Sequence, residues 1–240
     1  MKKVYLLLIP AFLQFTGCTL KQEMKSIFNG QDLEGWEIVT TREDSRKEYW
    51  FVEDSSIVAN SMGDSTHDYI WLKYAEEELI DFHLEFEFQA YRGNPGNTGI
   101  QVRSRYDTSE EWLNGPQVDI HPPRAWRTGM MWDETRGNQR WIFPDLPDGE
   151  WVDPSQALNQ PPFYYADDSI CWNSMEIEVE DLEVRAWLNG EKITDFNGAG
   201  ILDDENHMNK QVGTSGYLFL QIHTGDQLKI RFRNLYLEKF

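Results

Sequence analysis

The chain has 240 residues, with 22 Lys and Arg against 41 Asp and Glu, a formal net charge of −19. That excess argues against nucleic-acid binding, which rests on clustered Lys and Arg, and against electrostatic attachment to anionic lipid. Apolar and aromatic shares of 40% and 14% are too high for a disordered chain. The two cysteines supply neither a disulfide framework nor a thiolate zinc site.

Lys2 and Lys3 precede a short apolar run, Val4 to Leu13, interrupted by Pro10. A membrane-spanning helix needs about 20 apolar residues, so this segment reads as a signal peptide. Its end, Phe15-Thr16-Gly17-Cys18, resembles a bacterial lipobox. The expectation is a signal in residues 1–17, a lipidated Cys18 opening a tether over 18–25, and one all-β domain over 26–240. The protein would then sit at the cell envelope, touching membrane only through that anchor. The alternative is an ordinary signal peptide with Cys18 incidental. Cys171, left without a partner, reads as a buried small hydrophobe.

Past the leader, period-2 alternation dominates. Lys73 to Ile80 could hold a turn or two of helix, but Glu76, Glu77 and Glu78 leave it no apolar stripe. Phe82, Leu84, Phe86 and Phe88 alternate with His83, Glu85 and Glu87, which predicts a half-buried antiparallel strand with an acidic outer face. Asn97 to Arg105 reads as a strand with Gln101, Arg103 and Arg105 on one face. Met175, Ile177 and Val179 alternate with glutamates, and so do Leu182, Val184, Ala186 and Leu188 with polar residues. Asn189-Gly190 supplies the positive φ angles of a tight hairpin. Leu218 to Ile222 and Ile230 to Leu237 make two more strands, the last changing phase at a bulge near Arg233-Asn234. About twelve short strands at this spacing predict an all-β sandwich of jelly-roll type. Asn114 to Asp168 stands apart as a long, Pro-rich stretch with Trp126, Trp132, Trp141 and Trp151, closely preceded by Trp112. Loops of that length are functional more often than incidental.

The chemistry-bearing residues cluster in and beside that stretch. Alternation places Gln117, Asp119 and His121 on one strand face, with Val118 and Ile120 on the other. Arg103 and Arg105 on the neighbouring strand point to a polyol or anion site. Trp132, Glu134 and Arg136 follow, the last two sharing parity either as site residues or as a surface ion pair. His223 closes the apolar strand Leu218 to Ile222 and reads as a structural side chain or a site residue. No nucleophile elbow, phosphate loop or HExxH is present in the sequence. Tryptophan with carboxylates, Gln and Arg is the composition of a sugar site, because flat sugar faces stack on rings and hydroxyls bond to planar polar groups.

A series of motifs in order resembles the 3-keto-disaccharide hydrolase domain. They are Ile27 to Trp36 (IFNGQDLEGW), Phe82 to Phe88, Asn97-Thr98-Gly99-Ile100, Gly115 to Ile120 (GPQVDI), Asp133 to Arg136 (DETR), Trp172-Asn173, Trp187 to Gly190 (WLNG) and Phe232 to Leu235 (FRNL). Pro116 and the segment Pro122 to Arg127 depart from the family pattern at the expected site. The resemblance implies a concanavalin-like jelly roll. It also implies cleavage of glycosides whose sugar carries a C3 ketone. Such a ketone acidifies the C2 hydrogen, and the resulting enolate expels the C1 oxygen, after which water adds.

That chemistry needs a base near C2 and an oxyanion stabiliser. Asp119 or His121 is the expected base. Glu134 completes the catalytic set, and Arg103, Gln117, Trp132, Arg136 and His223 are expected on the substrate. The stabiliser is either Arg103 or a divalent metal held by Asp119, His121, Glu134 and His223. A non-catalytic carbohydrate-binding module and an ordinary glycosidase using Asp119 and Glu134 remain the alternatives.

Overall fold

The computed structural model describes residues 23–157 and 159–240. The leader and Cys18 lie outside these residues. Sixteen strands form in chain order: β1 (Lys25–Ser26), β2 (Trp36–Thr40), β3 (Trp50–Glu53), β4 (Ser56–Asn60), β5 (Ile70–Leu79), β6 (Phe82–Ala90), β7 (Thr98–Asp107), β8 (Trp112–Asn114), β9 (Pro116–Ile120), β10 (Met131–Asp133), β11 (Arg140–Phe143), β12 (Asn173–Glu180), β13 (Glu183–Leu188), β14 (Glu191–Asn197), β15 (Gly216–Ile222) and β16 (Lys229–Lys239). One α-helix, α1 (Glu205–Lys210), and two 3-10 turns, Pro122–Arg127 and Pro154–Gln156, complete the described elements.

The strands make two antiparallel eight-stranded sheets. The first runs β14-β13-β12-β6-β16-β4-β3, with β1 also on β16; the second runs β11-β10-β9-β7-β15-β5-β2, with β8 on β7. Period-2 sequence decides which face packs. Phe82, Leu84 and Phe86 of β6 pair with Val179, Ile177 and Met175 of β12, and with Phe88 they belong to one core cluster. Ile100, Val102, Val118, Ile120, Leu218, Leu220 and Ile222 meet them from the second sheet. Each such side chain contributes about 1.5–3 kcal/mol on burial. The result is the expected jelly-roll sandwich.

Local expectations divide. Asn189 and Gly190 take φ of 50° and 81°, as a tight hairpin needs. The phase change in β16 is a register shift between Arg233 and Tyr236, with Asn234 at φ 52°. Lys73 to Ile80 forms no helix: the polar run Glu76 to Glu78 continues β5 as a strand. The helix α1, capped by Asp204, is a single short element outside the expected strands. Cys171 is a free, half-buried thiol rather than a core residue, because it lies in the irregular segment before β12.

Candidate active site

On the second sheet, inward residues alternate with residues facing away from the sandwich. Those outward residues build a cleft of about 100 Å³ lined by Tyr69, Asn97, Gln117, Asp119, Arg127, Trp132, Glu134, Gln139, Trp141, Trp151 and His223. Gln117 and Asp119 stand on β9 opposite Gln101 and Gly99 of β7, and Trp132 of β10 stands opposite Gln117. Gly99 is a notch: a Cβ there would lie 2.4 Å from Cδ of Gln117. The glutamine side chain therefore occupies the space that any other residue would fill.

The carboxylates of the cleft differ in their partners. Asp119 is 1% exposed and accepts Arg127 Nε at 2.6 Å, with Nη2 at 3.5 Å from its other oxygen. Burial pushes its carboxyl up, against the opposing pull of Arg127. Glu134 is 4% exposed and has no Arg or Lys ion-pair partner among the described residues; Gln221 Nε2 donates to it at 3.4 Å. Burial is the main reason its carboxyl is pushed up to about 7, and the neighbouring Asp133 adds to it. It is thus poised to exchange a proton near neutral pH.

A second network holds Glu134 in place. Its backbone N–H donates to Gly115 O at 3.0 Å, and Trp112 Nε1 donates to its carbonyl at 2.8 Å. Behind it, fully buried His207 faces Asp133 Oδ2 at 3.1 Å through Nε2 and Asp204 Oδ1 at 2.9 Å through Nδ1. Nε2 also lies 3.2 Å from Thr135 Oγ1, and the two flanking carboxylates favour the protonated ring. Burial works against that charge, but Asp133 and Asp204 hold the pKa above its ordinary value. The clamp ties the end of β10 to the start of α1.

The wall is aromatic. Trp132, Trp141 and Trp151 meet pairwise with ring centroids 5.4–5.5 Å apart, and the Arg127 guanidinium lies over Trp141 and Trp151. Trp151 is 55% exposed, an open platform. Opposite, Tyr69 and His223 share a 3.0 Å contact between the hydroxyl and Nε2. Burial and the Glu134 charge hold the Tyr69 phenol well above its usual range, so it stays protonated. Several buried polar atoms have no protein partner: Asn97 Oδ1, Gln117 Oε1, Gln221 Oε1, both amide atoms of Gln101, and Trp141 Nε1. Buried polar groups are ordinarily satisfied; of these residues Asn97, Gln117 and Trp141 line the cleft, while Gln101 and Gln221 are fully buried beneath it.

Gln117, Asp119, Trp132, Glu134 and His223 of the expected set meet in this cleft. Three others do not line it. Arg103 has φ 48° at a bulge where Tyr217 pairs with Ser104 but Phe219 pairs with Gln101. The bulge breaks the parity with Gln101, and the buried guanidinium instead binds Ile80 O, Asp181 O, Gly213 O and Asp81. His121 spends Nδ1 as an acceptor from Arg124 N–H at 2.8 Å, capping the 3-10 turn. Burial and then Arg127 and Arg124 lower its pKa to about 3. Arg136 does not pair with Glu134; it is exposed, with its guanidinium 4.2 Å over the Trp112 ring. Nor do Asp119, His121, Glu134 and His223 converge as one set of metal donors within 4.8 Å of one another. Arg127 and Tyr69 escaped the sequence reading: Arg127 arrives through a 3-10 turn that has no strand parity, and Tyr69 precedes its strand by one residue.

The model of the 3-keto-alpha-glucoside-1,2-lyase-like domain matches residues 23–238. The chain belongs to this family. Among solved structures, a Parabacteroides distasonis protein provisionally described as a glycosyl hydrolase is 19% identical, with 90% of this chain and 94% of that one covered at a TM-score of 0.56. A Bacillus subtilis protein with a galectin-like fold is 14% identical, covering 86% and 90%, TM-score 0.56. The carbohydrate-binding module CBM66 from Bacillus subtilis is 15% identical, covering 85% and 96%, TM-score 0.52. These likenesses establish the shared fold. No curated protein sequence matches the chain significantly.

Proposed function

We propose that this family member cleaves 3-keto-glycosides by elimination across C1 and C2, with Glu134 as the base. One observation carries the reading. The cleft holds one buried carboxyl poised near neutrality, while its other carboxylate is tied to Arg127. An ordinary glycosidase needs two free carboxyl groups in complementary roles. Proton abstraction beside a ketone needs one base and a stabilised oxyanion.

In the proposed sequence the sugar stacks on the Trp132, Trp141 and Trp151 wall. Glu134 takes the C2 proton, and the C2–H electron pair moves into C2=C3, placing charge on the C3 oxygen. The unpartnered Trp141 N–H and the Arg127 guanidinium supply donors for that oxyanion. The enolate then reforms C3=O, makes C1=C2 and releases the glycosidic oxygen. Tyr69, backed by His223, is the proton donor to the leaving group. Water adding across C1=C2 completes net hydrolysis. The unpartnered amide oxygens of Asn97 and Gln117 accept sugar hydroxyls. The leader supports placement at the cell envelope through Cys18.

The deciding assay incubates the protein with a glucoside and with its 3-keto derivative and follows aglycone release. Turnover of the keto sugar alone is expected, with a 1,2-unsaturated ketone trapped before hydration. Turnover of the plain glucoside would select the two-carboxylate glycosidase instead. Saturable binding with no turnover of either would leave a binding module.

A further inference from the structure

The outer face of the first sheet carries a separate cluster of metal-ligating side chains. His83 and Glu85 project from β6 and Glu176 from β12, where Glu85 and Glu176 are direct cross-strand partners. His83 Nε2 lies 3.8 Å from Glu85 Oε1 and 3.8 Å from Glu176 Oε2. One donor atom from each residue falls within 4.8 Å of the others, the one such group among the described residues. We propose that these three side chains form a zinc-class divalent metal site joining β6 to β12, remote from the cleft.

The charge pattern of this face supports the assignment. Most carboxylates around the cluster have a basic partner. Glu87 takes Arg233, Glu178, Glu180 and Glu183 share Arg185, and Asp195 takes Arg185 and Lys192. Glu85 and Glu176 have no Lys or Arg partner among the described residues, only the imidazole. Like charges directly opposite across two strands are destabilising. Glu238 of β16, the cross-strand neighbour of His83 on its other side, adds a third carboxylate. It is 7% exposed and has no hydrogen bond or ion pair from its side chain among the described residues. Its carboxylate adds negative charge beside His83, which a bound cation offsets.

The donor set selects the metal. One imidazole nitrogen and two carboxylate oxygens suit Zn²⁺ and its neighbours better than Ca²⁺ or Mg²⁺, which favour all-oxygen shells. Metal–ligand bonds of about 2.0–2.2 Å bring donors closer together than they stand here. Small rotations of Glu85 and Glu176, whose side chains are 48% and 41% exposed, close that gap.

The test is titration of EDTA-stripped, gel-filtered protein with Zn²⁺ by calorimetry, at physiological salt with excess Mg²⁺. One equivalent bound at micromolar affinity or tighter is expected, with a rise in Tm. His83→Ala and Glu176→Gln should each weaken it by about 100-fold or more, while His223→Ala in the cleft leaves it unchanged. Glu176→Gln is isosteric on an exposed face, so it keeps the test open if His83→Ala fails to fold. Absence of saturable binding, or binding that survives Glu176→Gln, would overturn the site. So would loss of binding in His223→Ala, or displacement of Zn²⁺ by equimolar Ca²⁺.

Discussion

The outer faces of the two sheets arise from the same alternation and are filled in opposite ways. On the first sheet, Arg185 gathers Glu178 from the neighbouring strand and Glu183 from its own, and Arg233 holds Glu87 across strands, in half-exposed pairs. On the second, amides, indoles and a lone carboxyl are buried with hydrogen-bonding atoms left over. Water can satisfy the first arrangement. The second leaves hydrogen-bonding atoms without protein partners. A pleated sheet thus makes either a solvated wall or a recessed polar cleft, according to whether its outward polar groups find partners along the sheet.

Four measurements would break or sharpen that contrast. The largest effect is expected at Glu134. Glu134→Gln should lower kcat on a 3-keto-glycoside by roughly 10²–10⁴-fold with substrate binding retained. A loss of only a few-fold would remove it as base and return Asp119 to consideration. Next is the buried pair. Arg127→Met leaves the buried Asp119 without its ion-pair partner and should destabilise the fold by about 3–5 kcal/mol. Adding Asp119→Asn should recover much of it, and simple additivity of the two losses in urea unfolding would contradict the pairing.

The third measurement is pH-dependent stability. Glu134 has a folded pKa of about 7, raised above its ordinary value. The folded state therefore prefers the protonated acid, and stability falls as pH rises from the unfolded pKa through about 7. Glu134→Gln should be neutral near pH 4 and stabilising at pH 8, by on the order of 2–3 kcal/mol. Equal effects at both pH values would mean the carboxyl is not perturbed. The smallest effect belongs to the other face. Arg185→Ala should cost no more than about 1 kcal/mol and leave turnover untouched. A larger loss would show that the solvated wall holds the fold after all.

Legibility followed the same division. Strands β6, β12 and β13 could be read because inward Phe, Leu, Ile and Val alternate with outward charge without interruption. Gln117 and Asp119 could be placed on one face for that reason. Arg103 could not, because one residue at positive φ resets the phase and nothing in its neighbours announces it. His121 kept its parity but lost its expected freedom, since a Pro-Pro turn following it needed a cap. Arg127 and the His207 clamp depend on contacts across 8 residues of turn and 74 residues of chain, which period alone does not encode.

The bulge at Arg103 also divides the labour of β7. Before it, Thr98 to Gln101 pair with β9, which carries Gln117 and Asp119; after it, Arg105 to Asp107 pair with β8. Gly115, at φ 129° between β8 and β9, makes the matching bend with no room for a Cβ beside Ser104. The two bends act as a joint between the strands under the cleft and an outer hairpin. Lineages of this fold could lengthen, shorten or re-decorate the turn from Thr108 to Glu111 without shifting the register of Gln117 and Asp119, so that this surface evolves on its own clock.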